Sequence, residues 1–346
     1  MKALPYLINY SKKSDSYLKN YFAKKKRFGK KIDKTTAEGL EVFEDYSKGG
    51  KKLRGALTVL GYQIAGGRNQ RAILPVSCGI ELLHNFLLVH DDIIDRDKKR
   101  RGKITIHELF SRKKGNHFGV SKAIVIGDIG AFLGFDLIVN SNFPKDRMLK
   151  AISSLNDFLL KTTYGEMLDV DLDLKNKVSW EEILKVRTYK TAYYTLVMPL
   201  SIGAILGGAK KTTLNSIEKY GISVGIAFQL IDDVFGVFGN PKLTGKSNES
   251  DIKDGKKTFL YAKALELSRN KEKDYLLRWY GANGLTGAKI TKIRTIIKNS
   301  GAQDYSLLLA KEKIAEGNKY IPGITGNKKQ QLTLSSISDF MIERTN

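Results

Sequence analysis

This sequence of 346 residues is poor in cysteine, histidine and proline, with one, four and six respectively. The single Cys78 excludes an internal disulfide. In its VSCGIELL setting it reads as a small buried residue, and a reducing cytoplasm is the expected location. Six prolines, with no Pro/Ser-rich stretch and no low-complexity block, leave no linker to mark a domain boundary. Strand-like alternation is scarce, internal repeats are absent, and helix-length apolar periodicity is common. One all-α domain over residues 1–346 follows, with 42% hydrophobic content to fill its core.

Acidic residues are also in deficit, 36 against 59 lysines and arginines, for a net charge of +23. Lysines crowd residues 1–35, a basic N-terminal arm or helix, and the region after residue 269. They lack regular aromatic interleaving and no nucleic-acid motif accompanies them, so no nucleic-acid partner is expected. Such charge bears on solubility and non-specific association, not on fold. A solvated lysine-rich surface is the main reading, and peripheral contact with an anionic membrane the secondary one. The opening MKALPYLINYSKKSD has too short an apolar run for a secretory signal. Residues 191–209 carry no charge, and 123–139 carry only Asp128 and Asp136. Both approach the length of a membrane span. Polar and small residues dilute the first and two carboxylates interrupt the second, so both are expected as buried core helices.

Against this background two aspartate clusters stand out: Asp91-Asp92-Ile93-Ile94-Asp95 and Asp232-Asp233-Val234-Phe235-Gly236. Each lies in an apolar stretch, where carboxylates are costly without a cationic partner. On a helix Asp91 and Asp95 share a face and continue a stripe through His84 and Leu88. In the second cluster Gln229 lies three and four residues before Asp232 and Asp233. Hard oxygen ligands on rigid helices suit Mg²⁺, which keeps several waters and takes further ligands from substrate phosphates. Two clusters 141 residues apart suggest two helices aiming carboxylates at one shared cavity.

A carboxylate–metal site implies an anionic ligand, and four basic constellations supply cations. GGKKLRG (49–55) has a Gly pair that permits close backbone approach, followed by Lys51 and Arg54 at i, i+3. Arg100-Arg101-Gly102 follows the first cluster; adjacent arginines point in different directions and can serve two anions. Lys190-Thr191 heads the uncharged segment. Thr244-Gly245-Lys246, Ser250-Asp251 and Gly255-Lys256-Lys257-Thr258 follow the second cluster, without the spacing of a P-loop.

In chain order GGKKLRG, HNFLLVHDDIID, RRG, GEMLD, KT, FQLIDD and TGK–SD–GKKT resemble the trans-isoprenyl diphosphate synthases, from about residue 45 to the end. The closing NKKQQLTLSSISDFMIER is similar to that family's last helix. The resemblance implies an all-α helical bundle of isoprenoid synthase type around a deep central cavity, usually a homodimer. It implies head-to-tail condensation of isopentenyl diphosphate with an allylic diphosphate (dimethylallyl, geranyl or farnesyl), with three Mg²⁺. Asp91, Asp95 and Asp232 match the metal ligands, with Asp92 and Asp233 in support. Arg100, Lys190 and Lys246 match direct contacts to the allylic diphosphate, with Lys256 in the same basic loop also assigned to substrate. Lys51, Arg54, His84 and Arg101 match the isopentenyl diphosphate site. Thr191 and Gln229 match positions whose oxygens face the developing allylic cation. No protein nucleophile is needed, in keeping with an unremarkable cysteine and four histidines. One departure is Gly236, where the family often has a fifth-position Asp.

Residues just upstream of the first cluster set product length in that family. Here they are Phe86 and Leu87, with no insertion inside DDIID, a combination resembling archaeal-type geranylgeranyl diphosphate synthases and a C20 product; a C15 or mixed C15/C20 product is the alternative. At 100° per residue Leu87 lies about 40° from Asp91 around the helix and Phe86 about 140° away, which leaves Phe86 as core filler a competing reading. A class I terpene cyclase would lack GGKKLRG, Arg101 and the second Asp pair. A regulatory subunit of a heteromeric synthase would have lost metal carboxylates that this chain retains.

Overall fold

The computed structural model describes residues 2–175, 178–240 and 248–343. Helices dominate, as the scarcity of proline and of alternating patterns implies. Among the described residues the strands are β1 (Lys99–Arg100) and β2 (Lys103–Ile104), which pair antiparallel. The chain packs as two compact units, Met1–Ser154 with Pro199–Lys210, and Leu155–Met198 with Lys211–Asn346. No linker signal marks this division because it passes within two helices, α7 (Lys145–Asp173) and α9 (Met198–Gly207).

The first unit contains α1 (Ala3–Ile32), α2 (Lys34–Tyr46), α3 (Leu53–Ile64), α4 (Gln70–Ile94), α5 (Ile106–Lys114) and α6 (Asn116–Val139). The basic N-terminal segment is not a loose arm. Leu7, Tyr10, Ser14, Leu18 and Phe22 recur every three or four residues of α1 and are buried. Leu18 and Phe22 join Phe43, Leu82, Val89 and Phe110 in one core, while most of the lysines face outward. Asp33 separates α1 from α2 by capping the latter, accepting from the Thr35 N–H at 2.7 Å.

Helix α6 corrects the expectation for residues 123–139. Ala123, Ile126, Leu133, Leu137 and Ile138 are inside, but Ile124, Val125, Phe132 and Val139 are exposed, Phe132 by 72%. The segment is apolar all round, so composition does not reveal that neighbouring helices within the unit cover only one side. The uncharged segment 191–209 behaves as expected and is largely buried. It is not one α-helix, however: residues Arg187–Val197 form a π-helix, and α9 follows.

The second unit is built on α10 (Lys211–Phe238), which packs against the π-helix and against α15 (Ala302–Asn318), α16 (Ile321–Ile324) and α17 (Lys328–Ile342). The buried Tyr220 hydroxyl ties α10 to α17, 2.9 Å from both the Leu334 carbonyl and Ser338 Oγ. The remaining helices are α8 (Trp180–Val186), α11 (Ser250–Lys253), α12 (Phe259–Leu267), α13 (Asn270–Trp279) and α14 (Gly287–Asn299). By length and hydropathy α4 and α10 would cross a membrane, yet most of each is buried inside the protein. These are the two helices that carry the aspartate clusters.

Candidate active site

In the first unit the aspartate cluster occupies the last turn of α4. The helix stops at Arg96, which is left-handed (φ 56°), and the Asp97 N–H returns to the Asp92 carbonyl at 2.9 Å. Carboxylates at a helix C-terminus oppose its dipole and require cations nearby. Arg100 provides one. Its Nη2 donates to Asp91 Oδ2 at 2.8 Å and to Asp97 Oδ2 at 3.3 Å, and its Nε donates to Asp92 Oδ1. Asp92 is 1% exposed and also accepts from the Tyr46 hydroxyl at 2.6 Å. Burial alone would lower the Arg100 pKa; Asp91 and Asp92 outweigh it, so the guanidinium stays charged. Asp92 is therefore buried and held, whereas Asp91 and Asp95 are half-buried.

The adjacent arginines do part company. Arg101 and Gly102, both at positive φ, form the two-residue turn of the β1–β2 hairpin. Arg100 on the strand turns to the aspartates, while Arg101 lies against Gly50. A Cβ at Gly50 would stand 3.3 Å from the Arg101 guanidinium carbon, so the missing side chain makes room for it. In the same loop Lys52 is buried on Asp15 and Lys51 is exposed, which separates a structural lysine from a solvent-facing one. Arg54 Nη1 lies 3.3 Å from the Nε2 of buried His84. Arginine can only donate, so His84 Nε2 accepts and its proton sits on Nδ1. Burial, then Arg54, Arg101 and Arg100, push the His84 pKa well below its ordinary value, and the ring is neutral. Arg54, Arg100 and Arg101 thus form one cationic group around the neutral His84 imidazole. Beside it a cavity of about 800 Å³ is lined by Val42, Tyr46, Gly50, Arg100 and Arg101 among others.

Phe86 and Leu87 diverge as helix geometry requires. The Phe86 ring meets His90 edge-on at 4.9 Å between centroids, and His90 reaches α6 through Asp128 and the Ile124 carbonyl. Leu87, four residues before Asp91, shares its stripe. Cys78 is buried, which pushes its thiol up to about 12, and it is unsuited to act as a nucleophile.

In the second unit one polar chain links most of the expected residues. Lys190 Nζ contacts Asp169 Oδ2 at 2.7 Å and Glu166 Oε2 at 2.9 Å. Thr191 Oγ1 donates to Gln229 Oε1 at 3.0 Å, and Gln229 Nε2 donates to Asp233 Oδ1 at 2.9 Å. Asp233 is 3% exposed and also accepts from the Phe259 N–H, at the start of α12, at 3.1 Å. Arg187 bridges the two ends, 3.8 Å from Asp169 and 3.6 Å from Asp233. As in the first cluster, the second aspartate of the pair is the inward, anchored one, and Asp232 is half-buried. Lys256 Nζ sits 3.0 Å from Asp173. Lys246, with Thr244 and Gly245, lies outside the described residues.

The π-helix carries Arg187, Lys190 and Thr191, three and four residues apart, into this network. Its widened turn is packed closely enough on neighbours that a Cβ at Gly165 would be 2.2 Å from the Lys190 nitrogen, and one at Gly225 2.6 Å from the Ala192 Cα. At Gly236 a Cβ would overlap the Asp251 carboxylate at 2.0 Å. The chain lacks a side chain at the fifth position of the cluster, and another carboxylate occupies that space.

The polyprenyl synthetase profile matches residues 38–297. The chain belongs to the polyprenyl synthetase family. It is 32% identical to the geranylgeranyl diphosphate synthase of Methanosarcina mazei over 296 residues, 86% of each chain. It is 32% identical to the enzyme of that name from Sulfolobus acidocaldarius over 269 residues, 77% of this chain and 78% of the other. A solved structure of geranylgeranyl pyrophosphate synthase from Corynebacterium glutamicum, complexed with isoprenyl diphosphate and magnesium, superposes with a TM-score of 0.92. It is 25% identical and covers 97% of this chain and 98% of the other. The all-α expectation and the family resemblance are both met.

Sequence reasoning left several residues of this polyprenyl synthetase without a role. Glu166 and Asp169 stand in the GEMLD motif and Asp251 in the basic loop. Tyr46 and Arg187 belong to no motif quoted for the resemblance, and only the folded contacts single them out. Among the described residues no three carboxylate, histidine or cysteine side chains form a ready-made metal cage. That fits Mg²⁺, which takes one or two carboxylates and completes its shell with water and phosphate oxygens.

Proposed function

We propose that this polyprenyl synthetase condenses isopentenyl diphosphate head-to-tail with allylic diphosphates, using three Mg²⁺, to make geranylgeranyl diphosphate. The observation that carries the reading is the shared build of the two clusters. In each, the inner carboxylate is clamped by an arginine (Asp92 by Arg100, Asp233 by Arg187), and its half-buried neighbour stands beside it. Asp91, Asp95 and Asp232 are assigned to the metal. Their hard oxygen donors, few per cluster, suit Mg²⁺ and no soft-ligand ion.

Bound Mg²⁺ supplies positive charge against the diphosphate leaving group as the allylic C–O bond breaks. The chain's own cations do the rest of that work. Lys190 and Arg100 already hold carboxylates and can turn to phosphate oxygens, because a Mg²⁺–diphosphate presents both signs of charge. Lys246 and Lys256 are assigned to the same anion. Lys51, Arg54 and Arg101 bind the diphosphate of isopentenyl diphosphate, and His84, neutral and protonated on Nδ1, adds a hydrogen-bonding edge without further charge. Thr191 and Gln229 present oxygens to the developing allylic cation. Apolar surroundings exclude water, so the isopentenyl double bond is the nucleophile that reaches the cation. The proton then lost goes to the departed diphosphate.

Purified protein given isopentenyl diphosphate, each allylic primer and Mg²⁺ is expected to yield a C20 alcohol after dephosphorylation. No elongation with any primer would refute the reading, and a C15 main product would correct the chain length. We also assign a cytoplasmic homodimer, joined through the exposed apolar face of α6 around Ile124, Val125, Phe132 and Val139. These four exposed apolar side chains, with Asp128 and Asp136 between them, are the support for that surface. Light scattering should give the dimer mass, and Phe132→Lys should shift it toward the monomer; a monomeric parent protein would rule the dimer out.

A further inference from the structure

Arg187 has no place in the chemistry outlined above, yet among the described residues it is more enclosed than Lys190 or Lys256 in the second unit's site. Its side chain is 13% exposed and lies between two carboxylates that are 11% and 3% exposed, Asp169 and Asp233. Asp251 and Asp173 are also near enough to act on it electrostatically. Its Nε is buried with no hydrogen-bond partner among the described residues, so the guanidinium is held by ionic contact with the two acids and not by a full set of hydrogen bonds.

The partners of those two acids are what give Arg187 leverage. Asp233 is next to the metal-assigned Asp232 and holds Gln229, which in turn holds Thr191. Asp169 holds Lys190 on the side away from Arg187, one oxygen to each: Oδ2 to Lys190 and Oδ1 to Arg187. A single guanidinium therefore fixes both the metal-bearing turn of α10 and the phosphate-bearing lysine of the π-helix. An aliphatic side chain here would leave Asp233 buried without this cation, beside an Asp169 that keeps Lys190.

We propose that Arg187 is a positioning residue for diphosphate ionisation: it sets Asp232 for Mg²⁺ through Asp233, and Lys190 for phosphate through Asp169. The proposal rests on the function assigned above, so the parent protein must first elongate primers. If it does not, that function fails before Arg187 is tested.

The experiment compares Arg187→Met and Arg187→Lys with the parent. Circular dichroism and thermal melts check folding, and steady-state kinetics separate kcat from KM. Calorimetry measures the Mg²⁺ needed to bind a non-ionising thio analogue of geranyl diphosphate. Arg187→Met is expected to lower kcat by about tenfold to a hundredfold, as loss of an outer partner of a metal ligand does. It should raise the Mg²⁺ requirement for analogue binding several-fold and leave KM for isopentenyl diphosphate within about twofold. Arg187→Lys, which keeps the charge but not the planar fork, should recover part of both losses. A folded Arg187→Met with parental kcat and Mg²⁺ requirement overturns the proposal. If Arg187→Met does not fold, the lysine variant decides: parental kcat and Mg²⁺ requirement there would leave only a structural role.

Discussion

Alanine at Asp91 or at Asp232 is expected to reduce prenyl transfer by about a thousandfold, which is ~4 kcal/mol of transition-state stabilisation. The loss belongs to the chemical step. Both side chains are half-buried, and Arg100 retains Asp92 and Asp97 when Asp91 is removed. Melting temperatures of Asp91→Ala and Asp232→Ala should therefore stay close to the parent. The inner aspartates behave differently. Removing Asp92 or Asp233 leaves buried donors without their acceptor, the Tyr46 hydroxyl and Arg100 Nε in one case and Gln229 Nε2 and the Phe259 N–H in the other, at ~1–3 kcal/mol for each such group. Turnover assays and thermal melts on the four variants separate the two classes. Near-parental turnover in Asp91→Ala or Asp232→Ala would refute the metal assignment, and an unchanged melt in Asp92→Ala and Asp233→Ala would refute the anchoring role.

Phe86→Ala is expected to lengthen the product beyond C20 by about one isoprene unit or more, because truncating a large aromatic leaves space that a growing prenyl chain can fill. The ring is half-buried and rests on His90 without being locked in the core, so stability should fall less than for a fully buried Phe. Leu87→Ala is the necessary companion. Leu87 shares the Asp91 face of α4, whereas Phe86 is turned toward His90 and α6. Chromatography of the dephosphorylated products discriminates between them. Lengthening in Phe86→Ala alone assigns the floor to Phe86. Lengthening in Leu87→Ala alone moves the floor to the Asp91 stripe and makes Phe86 packing.

Much of the site was legible before folding because its residues lie in short, ordered motifs on helices. The DDIID spacing and the GGKKLRG, RRG and KT motifs all name residues that lie in one polar network or the other. Gly236 reads from the sequence as a simple loss of a carboxylate. In the fold it is the space taken by the Asp251 carboxylate, fifteen positions later in the chain. Arg187 stands in no quoted motif; helical spacing in LKVRTYKT puts it on the face of Lys190 and Thr191 but does not name its partners. It becomes a bridge because the packing sets it between Asp169 on α7 and Asp233 on α10. The apolar run 123–139 misled in the opposite sense, since hydrophobicity without a polar face cannot say which side the neighbours cover.

Composition and periodicity by themselves determined a helical protein without an internal disulfide, and the motifs determined its family. Those are properties of local spacing, and a helix preserves spacing. Only the tertiary structure decided which member of each aspartate pair turns inward, which arginine clamps it, and which lysine of GGKKLRG is structural. Those choices depend on burial and on contacts between residues tens of positions apart, where the cost of an unpaired charge selects one partner from the many that the sequence offers.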